Sequence, residues 1–156
     1  MGCQIMKEIK FTTNSVEETH ALGKKIGELA KEGFVVLLDG DLGAGKTTLT
    51  QGIAKGLGVE NNVTSPTFTI QKIYDGRMKL YHFDAYRLEG LSQDLGFEEF
   101  IDGDDGLVVI EWGKFIPHLI PKEYLSISIS LLDEDTREFT IKANGEKYES
   151  VVNELC

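Results

Sequence analysis

The sequence predicts one α/β domain with a mostly parallel central sheet extended by antiparallel hairpins, and three observations carry that prediction. Two stretches, "FVVLLDG" at 34–40 and "GLVVIEW" at 106–112, hold unbroken apolar runs of the kind that central strands covered on both faces require. The first runs into a glycine-rich turn and then into residues with helical spacing, which makes a strand–turn–helix unit. Near the end, "YLSISISLL" at 124–132 alternates apolar residues with serine, the period of a strand with one solvated face. At 156 residues the chain is one domain's worth and long enough to bury its own core.

Taken in order, "KEIKFTT" at 7–13 alternates like a strand. Asn14 and Ser15, followed by Glu17 and Glu18, read as a helix cap with acids in the first turn. The helix is expected to reach about Lys31 with Val16, Leu22, Ile26, Leu29 and Ala30 as its apolar stripe, and Gly33 is its stop. After the strand at 34–40 and the glycine-rich turn, "TLTQGIAKGLG" continues as a helix ending at Gly56 or Gly58. The loop "VENNVTSPT" leads to "FTIQKIY" and "KLYHFD", which flank Asp75–Gly76–Arg77–Met78 as a hairpin. A short helix is expected in "LSQDLGFEEFI" at 91–101. "YLSISISLL" and "REFTIKA" form a hairpin across "DEDT", and "KYESVVNEL" closes the chain as a helix through Tyr148, Val151, Val152 and Leu155.

The 26 acids and 16 bases give a formal charge of −10, which repels a phosphate backbone and disfavours direct, tight nucleic-acid binding. No apolar run approaches the ~20 residues that span a bilayer, so no membrane association is expected. The two cysteines, Cys3 and Cys156, lack metal-site or disulfide-framework spacing and fit a reducing cytoplasm. The start "MGCQIMKEIKF" has no apolar core of a signal peptide, and the sequon at Asn62 is idle in a cytoplasmic protein.

Gly40-Asp41-Leu42-Gly43-Ala44-Gly45-Lys46-Thr47 matches the phosphate-loop pattern G-x-x-x-x-G-K-[ST], between a buried strand and a helix as the chemistry requires. Its glycines permit turns that point successive N–H groups inward, and the helix N-terminus adds partial positive charge. A plain strand-to-helix turn has no need of a lysine and the two threonines, Thr47 and Thr48, that open this helix. Lys46 is expected to bridge the β- and γ-phosphates and the Thr47 hydroxyl to ligate Mg²⁺. The guanine-nucleotide patterns D-x-x-G and N-K-x-D do not occur in the chain, which favours ATP. The fold class is accordingly a P-loop NTPase-like three-layer sandwich.

Two acids compete for the metal. Glu111 ends the wholly apolar Leu107-Val108-Val109-Ile110, at the carboxyl edge where such sheets bind ligands. Asp84 ends the more alternating Leu80-Tyr81-His82-Phe83, and strand periodicity puts His82 on the same face as Asp84. His82 fits either a satisfied histidine beneath the sheet edge or a partner of the site. Tyr86 and Arg87 fit loop packing and a surface ion pair, or the site. In "TSPTF", Pro66 stiffens the hydroxyl-bearing Thr64, Ser65 and Thr67. This is either a plain loop or a segment sensing the γ-phosphate, where nucleotide switches commonly place one.

"GDLGAGKTT", "TSPTF", "HFDAYR" and "EW", in this order and near these spacings, resemble the TsaE (YjeE) family of small bacterial P-loop ATPases across essentially the whole chain. The resemblance implies work with TsaD- and TsaB-type proteins in the threonylcarbamoyl modification of tRNA next to the anticodon. It implies a phosphate loop at Leu42 to Thr47, magnesium ligands Thr47 and Glu111, and an essential aspartate at Asp84, close to the metal. It also implies adenine contacts at Ser15 and Val16. Gly113 stands after Trp112 where the family often has proline.

The expected mechanism is slow ATP hydrolysis, stimulated by a partner, with Lys46, Asp84 and His82 as the catalytic set and Mg²⁺ held at Thr47 and Glu111. The nucleotide is expected to meet Ser15, Val16, the loop from Gly40 to Thr48, Thr64, Ser65, Thr67, Arg87 and Trp112. Of the three arginines, Arg77, Arg87 and Arg137, only Arg87 lies in a motif near the site. tRNA is expected to be met through the partners. The rival readings are a small-molecule kinase of the adenylate- or shikimate-kinase type, which this arginine-poor chain equips badly, and a nucleotide-gated binding module whose hydrolysis is incidental.

Overall fold

The structure is a computed structural model and describes residues 8–40, 45–59, 71–84, 106–111 and 120–155, with the backbone alone for Gln71, Lys72 and Asp84. The expected helix at 91–101 and the loop at 60–67 lie outside the described residues. Seven strands form one sheet: β1 Glu8–Thr13, β2 Val35–Gly40, β3 Gln71–Asp75, β4 Lys79–Asp84, β5 Gly106–Glu111, β6 Tyr124–Leu131 and β7 Arg137–Asn144. The helices are α1 Val16–Leu29, α2 Lys46–Gly56 and α3 Glu146–Leu155.

The sheet order is β1-β7-β6-β2-β5-β4-β3. β4, β5, β2 and β6 run parallel, and β3 on one side and β7 and β1 on the other extend them antiparallel. This is the α/β architecture that the apolar runs predict. Every residue of β5 is buried, as a central parallel strand covered on both faces requires. Along β6, Leu125, Ile127 and Ile129 are buried while Ser128 and Ser130 are exposed, so the serine alternation does mark a solvated face.

One face of the sheet carries the helices. Val36, Leu38, Leu80, Leu107, Val109, Ile127 and Ile141 join Ile26, Leu49, Ile53, Leu57, Tyr148 and Val152 in a single core. Tyr81, Phe83, Val108 and Ile110, on the other face, are buried as well. α3 is pinned at its start, where the Val35 N–H donates to the Tyr148 hydroxyl at 2.8 Å.

α1 keeps Leu22, Ile26, Leu29 and Ala30 of its apolar stripe in or against the core and departs from it at Val16. Val16 is 55% exposed, and the buried positions are Thr19, Gly23, Ile26 and Gly27. The reason is close packing against α2: a Cβ on Gly23 would lie 2.5 Å from the Leu49 carbonyl oxygen, and one on Gly52 would lie 2.5 Å from that of His20. Gly23 and Gly27 meet Gly52 and Gly56 in the same sense along both helices, so α1 and α2 run side by side and parallel. α1 also ends at Leu29, short of Lys31, with Ala30 already extended. Its last carbonyls are taken by Arg77 in the β3–β4 turn, whose Nη2 donates to Gly27 O at 2.7 Å and Ala30 O at 2.9 Å. The Arg77 N–H donates to Leu57 O at 2.6 Å, so one residue closes both helices at their C-terminal ends.

Candidate nucleotide-binding site

The parallel strands β2, β5 and β4 end together at Gly40, Glu111 and Asp84. Leu38 and Asp84 both pair with Glu111 in register. α2 starts at this edge from Gly45, a left-handed residue at φ +109° that has no side-chain cap. No acid lies in the first turn of α2, so its first N–H groups and helix dipole present positive potential to an anion. Lys46 is 6% exposed, and its ammonium donates to the Gly40 carbonyl at 2.7 Å, reaching back across the loop to the end of β2. Thr47 and Thr48 beside it are half-buried. Thr50 is buried and spends its hydroxyl on Lys46 O at 2.8 Å, within the helix.

Glu111 is 3% exposed and His82 is fully buried. Alternation puts both on the helix-bearing face, with His82 one pleat below the level of Asp84 and Glu111. Their contact is direct, His82 Nε2 to Glu111 Oε2 at 2.5 Å. Sequence periodicity links His82 to Asp84; the structure links its ring to Glu111. Asp84 has its backbone beside that of Glu111, one strand spacing away, on the order of 4.8 Å.

The N-terminal end of α1 comes to the same edge because it packs parallel to α2. The Ser15 hydroxyl is the N-cap and accepts the Glu18 N–H at 3.1 Å, while the Glu18 carboxylate accepts the Asn14 N–H at 3.2 Å. The expected cap is therefore present, and Val16 next to it is exposed. Asn14 Oδ1 in turn accepts the Thr136 hydroxyl at 3.1 Å, which ties this corner to the β6–β7 hairpin. In that hairpin the Asp133 carboxylate accepts the N–H groups of Asp135 and Thr136, and these hydrogen bonds hold its carboxyl below the usual carboxylate range.

Arg137 is the residue that sequence reasoning missed. It opens β7, opposite Thr13 of β1 and Leu131 of β6, and its side chain lies on Gly45. A Cβ on Gly45 would come 3.2 Å from Arg137 Cδ and Nε. Arg87, the one arginine expected in a motif near the site, lies outside the described residues, and the sheet order brings Arg137 on β7 to Gly45 from the far end of the sequence. No local pattern marks Arg137; the only available signal is the shortage of arginines. Arg77, by contrast, is spent on the helix ends.

Asp41, Leu42, Gly43, Ala44, Thr64, Ser65, Thr67, Arg87 and Trp112 lie outside the described residues. Among the described residues, no three His, Cys, Asp or Glu side chains group as a metal cage. A magnesium at a phosphate loop needs none, since it takes one hydroxyl and one carboxylate and completes its shell with phosphate oxygens and water. Thr47 on the first turn of α2 and the buried, histidine-braced Glu111 at the end of β5 fit that donor set.

Comparison with known proteins identifies the family and the fold. Residues 13–139 match the family model described as threonylcarbamoyl adenosine biosynthesis protein TsaE. The tRNA threonylcarbamoyladenosine biosynthesis protein TsaE of Bacillus subtilis is 48% identical over 151 residues, 96% of this chain and 95% of that protein. The protein of the same name from Treponema pallidum is 41% identical over 135 residues, 85% of this chain and 99% of that protein. The crystal structure of YdiB from Bacillus subtilis superposes with a TM-score of 0.79 at 40% identity, covering 98% of this chain and 97% of that one. With the family model matched over most of its length and relatives this similar end to end, the chain belongs to the TsaE family.

Proposed function

We propose that this chain binds and slowly hydrolyses ATP with Mg²⁺, in the cytoplasm, and acts with TsaD- and TsaB-type proteins in the threonylcarbamoyl modification of tRNA. One observation carries the chemistry: Lys46, at the uncapped start of α2, spans to Gly40 while Glu111 ends the neighbouring strand, so a cation and an acid flank one phosphate-sized edge. The names of the relatives support the pathway.

ATP would bind with its phosphates at the first turn of α2, where the helix N–H groups and the Lys46 ammonium would supply donors and positive charge. Thr47 and Glu111 would hold magnesium, which would supply charge neutralisation for phosphoryl transfer. Asp84, one strand spacing from Glu111, orients the attacking water or senses the γ-phosphate. Arg137 supplies a second cation beside Gly45 and steadies the nucleotide from the side of β7. The adenine lies toward Ser15 and Val16. Asp41 to Ala44, Thr64, Ser65, Thr67, Arg87 and Trp112 remain proposed nucleotide contacts on the sequence pattern alone. Among the described residues no helix is long and apolar enough to cross a membrane, and with a net charge of −10 the chain meets tRNA through its partners.

The test is reconstitution: ATP hydrolysis and tRNA modification measured with and without TsaD- and TsaB-type proteins. Slow turnover alone, a gain with the partners, and phosphate release without a phosphorylated acceptor are expected. Fast partner-independent turnover, or phosphate appearing on a small-molecule acceptor, rejects the proposal in favour of a metabolic kinase.

A further inference from the structure

His82 is fully buried on the helix-bearing face of β4, above Leu80 and beside Val109 in register. Its Nε2 meets the Glu111 carboxylate at 2.5 Å, and its Nδ1 is buried with no hydrogen-bond partner. A carboxylate oxygen only accepts, so Nε2 carries the proton and donates it to Glu111 Oε2. With Nε2 the donor, Nδ1 is a bare lone pair. Buried there, Nδ1 does not reach a water at the sheet edge, which disfavours His82 as general base for hydrolysis. Its one described polar contact is with Glu111.

We infer that His82 is a positioning residue: its Nε2–H fixes one oxygen of the Glu111 carboxylate, and so the orientation of the other, for magnesium. The inference rests on the proposed reading of Glu111 as a magnesium ligand and goes beyond it, by moving His82 from the catalytic group to the support of the metal. Two physical reasons make a donor necessary here. A carboxylate 3% exposed at the end of an apolar strand has lost most of its water and needs a hydrogen bond in exchange. A glutamate side chain also has three rotatable torsions, and partners behind a metal ligand typically change metal affinity 10- to 100-fold when removed.

The experiment uses the full chain with ADP, so that hydrolysis does not intervene. Mn²⁺ affinity of the ADP complex is measured by electron paramagnetic resonance, and metal-free ADP affinity by calorimetry, for wild type, His82→Leu, His82→Gln, His82→Asn and Glu111→Gln. Gln places an amide N–H near the position of imidazole Nε2, and Asn does not reach it. His82→Leu and His82→Asn are expected to weaken Mn²⁺ binding about 10-fold or more with metal-free ADP binding unchanged, and His82→Gln to stay within about 3-fold of wild type. In a Glu111→Gln background, His82→Leu adds nothing further, because its target is gone.

Unchanged Mn²⁺ affinity in His82→Asn, or equal losses in the Gln and Asn variants, overturns the inference even if His82→Leu fails to fold. If Glu111→Gln weakens Mn²⁺ binding and the His82 variants do not, the magnesium reading stands and the positioning role falls. If Glu111→Gln itself leaves Mn²⁺ affinity unchanged, both fall.

Discussion

The Arg137 side chain lies on Gly45, the residue from which α2 begins, so close that a methyl group there would sit 3.2 Å from its Cδ and Nε, tighter than an ordinary contact. An arginine encoded 92 positions later thus forms one wall of the phosphate loop. Gly45→Ala meets two obstacles, a φ of +109° that L-residues rarely adopt and the Arg137 stem. The substitution is expected to reduce ATP affinity by at least 10-fold in calorimetry. Arg137→Ala is expected to weaken ATP binding about 10-fold while leaving the melting temperature within a few degrees, because Arg137 sits on the rim rather than in the core. Wild-type affinity in Arg137→Ala removes it from the site.

Lys46→Ala tests the loop's cation. The ammonium is buried and already hydrogen-bonded to Gly40 O, so its removal takes away both the phosphate contact and the brace across the loop. Tight ATP binding is expected to disappear in calorimetry, and unchanged affinity would strip the lysine of its role.

Asp84→Ala separates hydrolysis from binding. Asp84 stands beside Glu111 in register but is not the assigned metal ligand. The variant is expected to hold ATP within a few-fold of wild type, to lose hydrolysis by at least 10-fold, and to fail in reconstituted tRNA modification. If it still supports modification fully, ATP binding alone drives the partner and turnover is incidental.

The helix pair sets a stability prediction. Gly52→Ala forces a Cβ to within 2.5 Å of His20 O, where only backbone can yield. Overpacking of this kind costs about 1–3 kcal/mol, measurable as a lower urea midpoint. A neutral result would mean that α1 and α2 separate freely.

Tyr148 gives a second stability test and a pH dependence. It is fully buried, and its hydroxyl is the acceptor for the Val35 N–H. Tyr148→Phe leaves that N–H unpaired, at a cost of about 1–3 kcal/mol. Burial raises the phenol's pKa above its ordinary value of 10.0, with the Val35 N–H acting in the opposite sense. The folded state therefore holds the proton more tightly than the unfolded chain. The associated stability is complete below the unfolded pKa of about 10 and is lost as pH rises from there through the folded value. Unfolding free energy should fall above pH 10 in wild type and fall less steeply in Tyr148→Phe.

The parts legible in the sequence are those written in local patterns. The unbroken apolar run at 107–110 made β5 readable because a strand buried on both faces has no solvent-facing position to vary. Ser15 with Glu17 and Glu18 was readable because capping is settled within one turn. The α1 stripe misled at Val16 because glycine carries no apolar signal: the buried face is made by what Gly23 and Gly27 lack. Arg137 and the His82–Glu111 contact were not legible. Each depends on which strands lie side by side, and strand order belongs to the whole sheet rather than to any segment of it.

The four glycines between α1 and α2, and the single arginine that closes both helices at their far ends, make this pair a rigid fork whose two tips lie at the sheet edge that holds Gly40 and Glu111. A fork of this kind resists opening like a hinge. A change at its tips would shift the pair as one body and would be passed to the elements that border them, the β6–β7 hairpin with Arg137 among them.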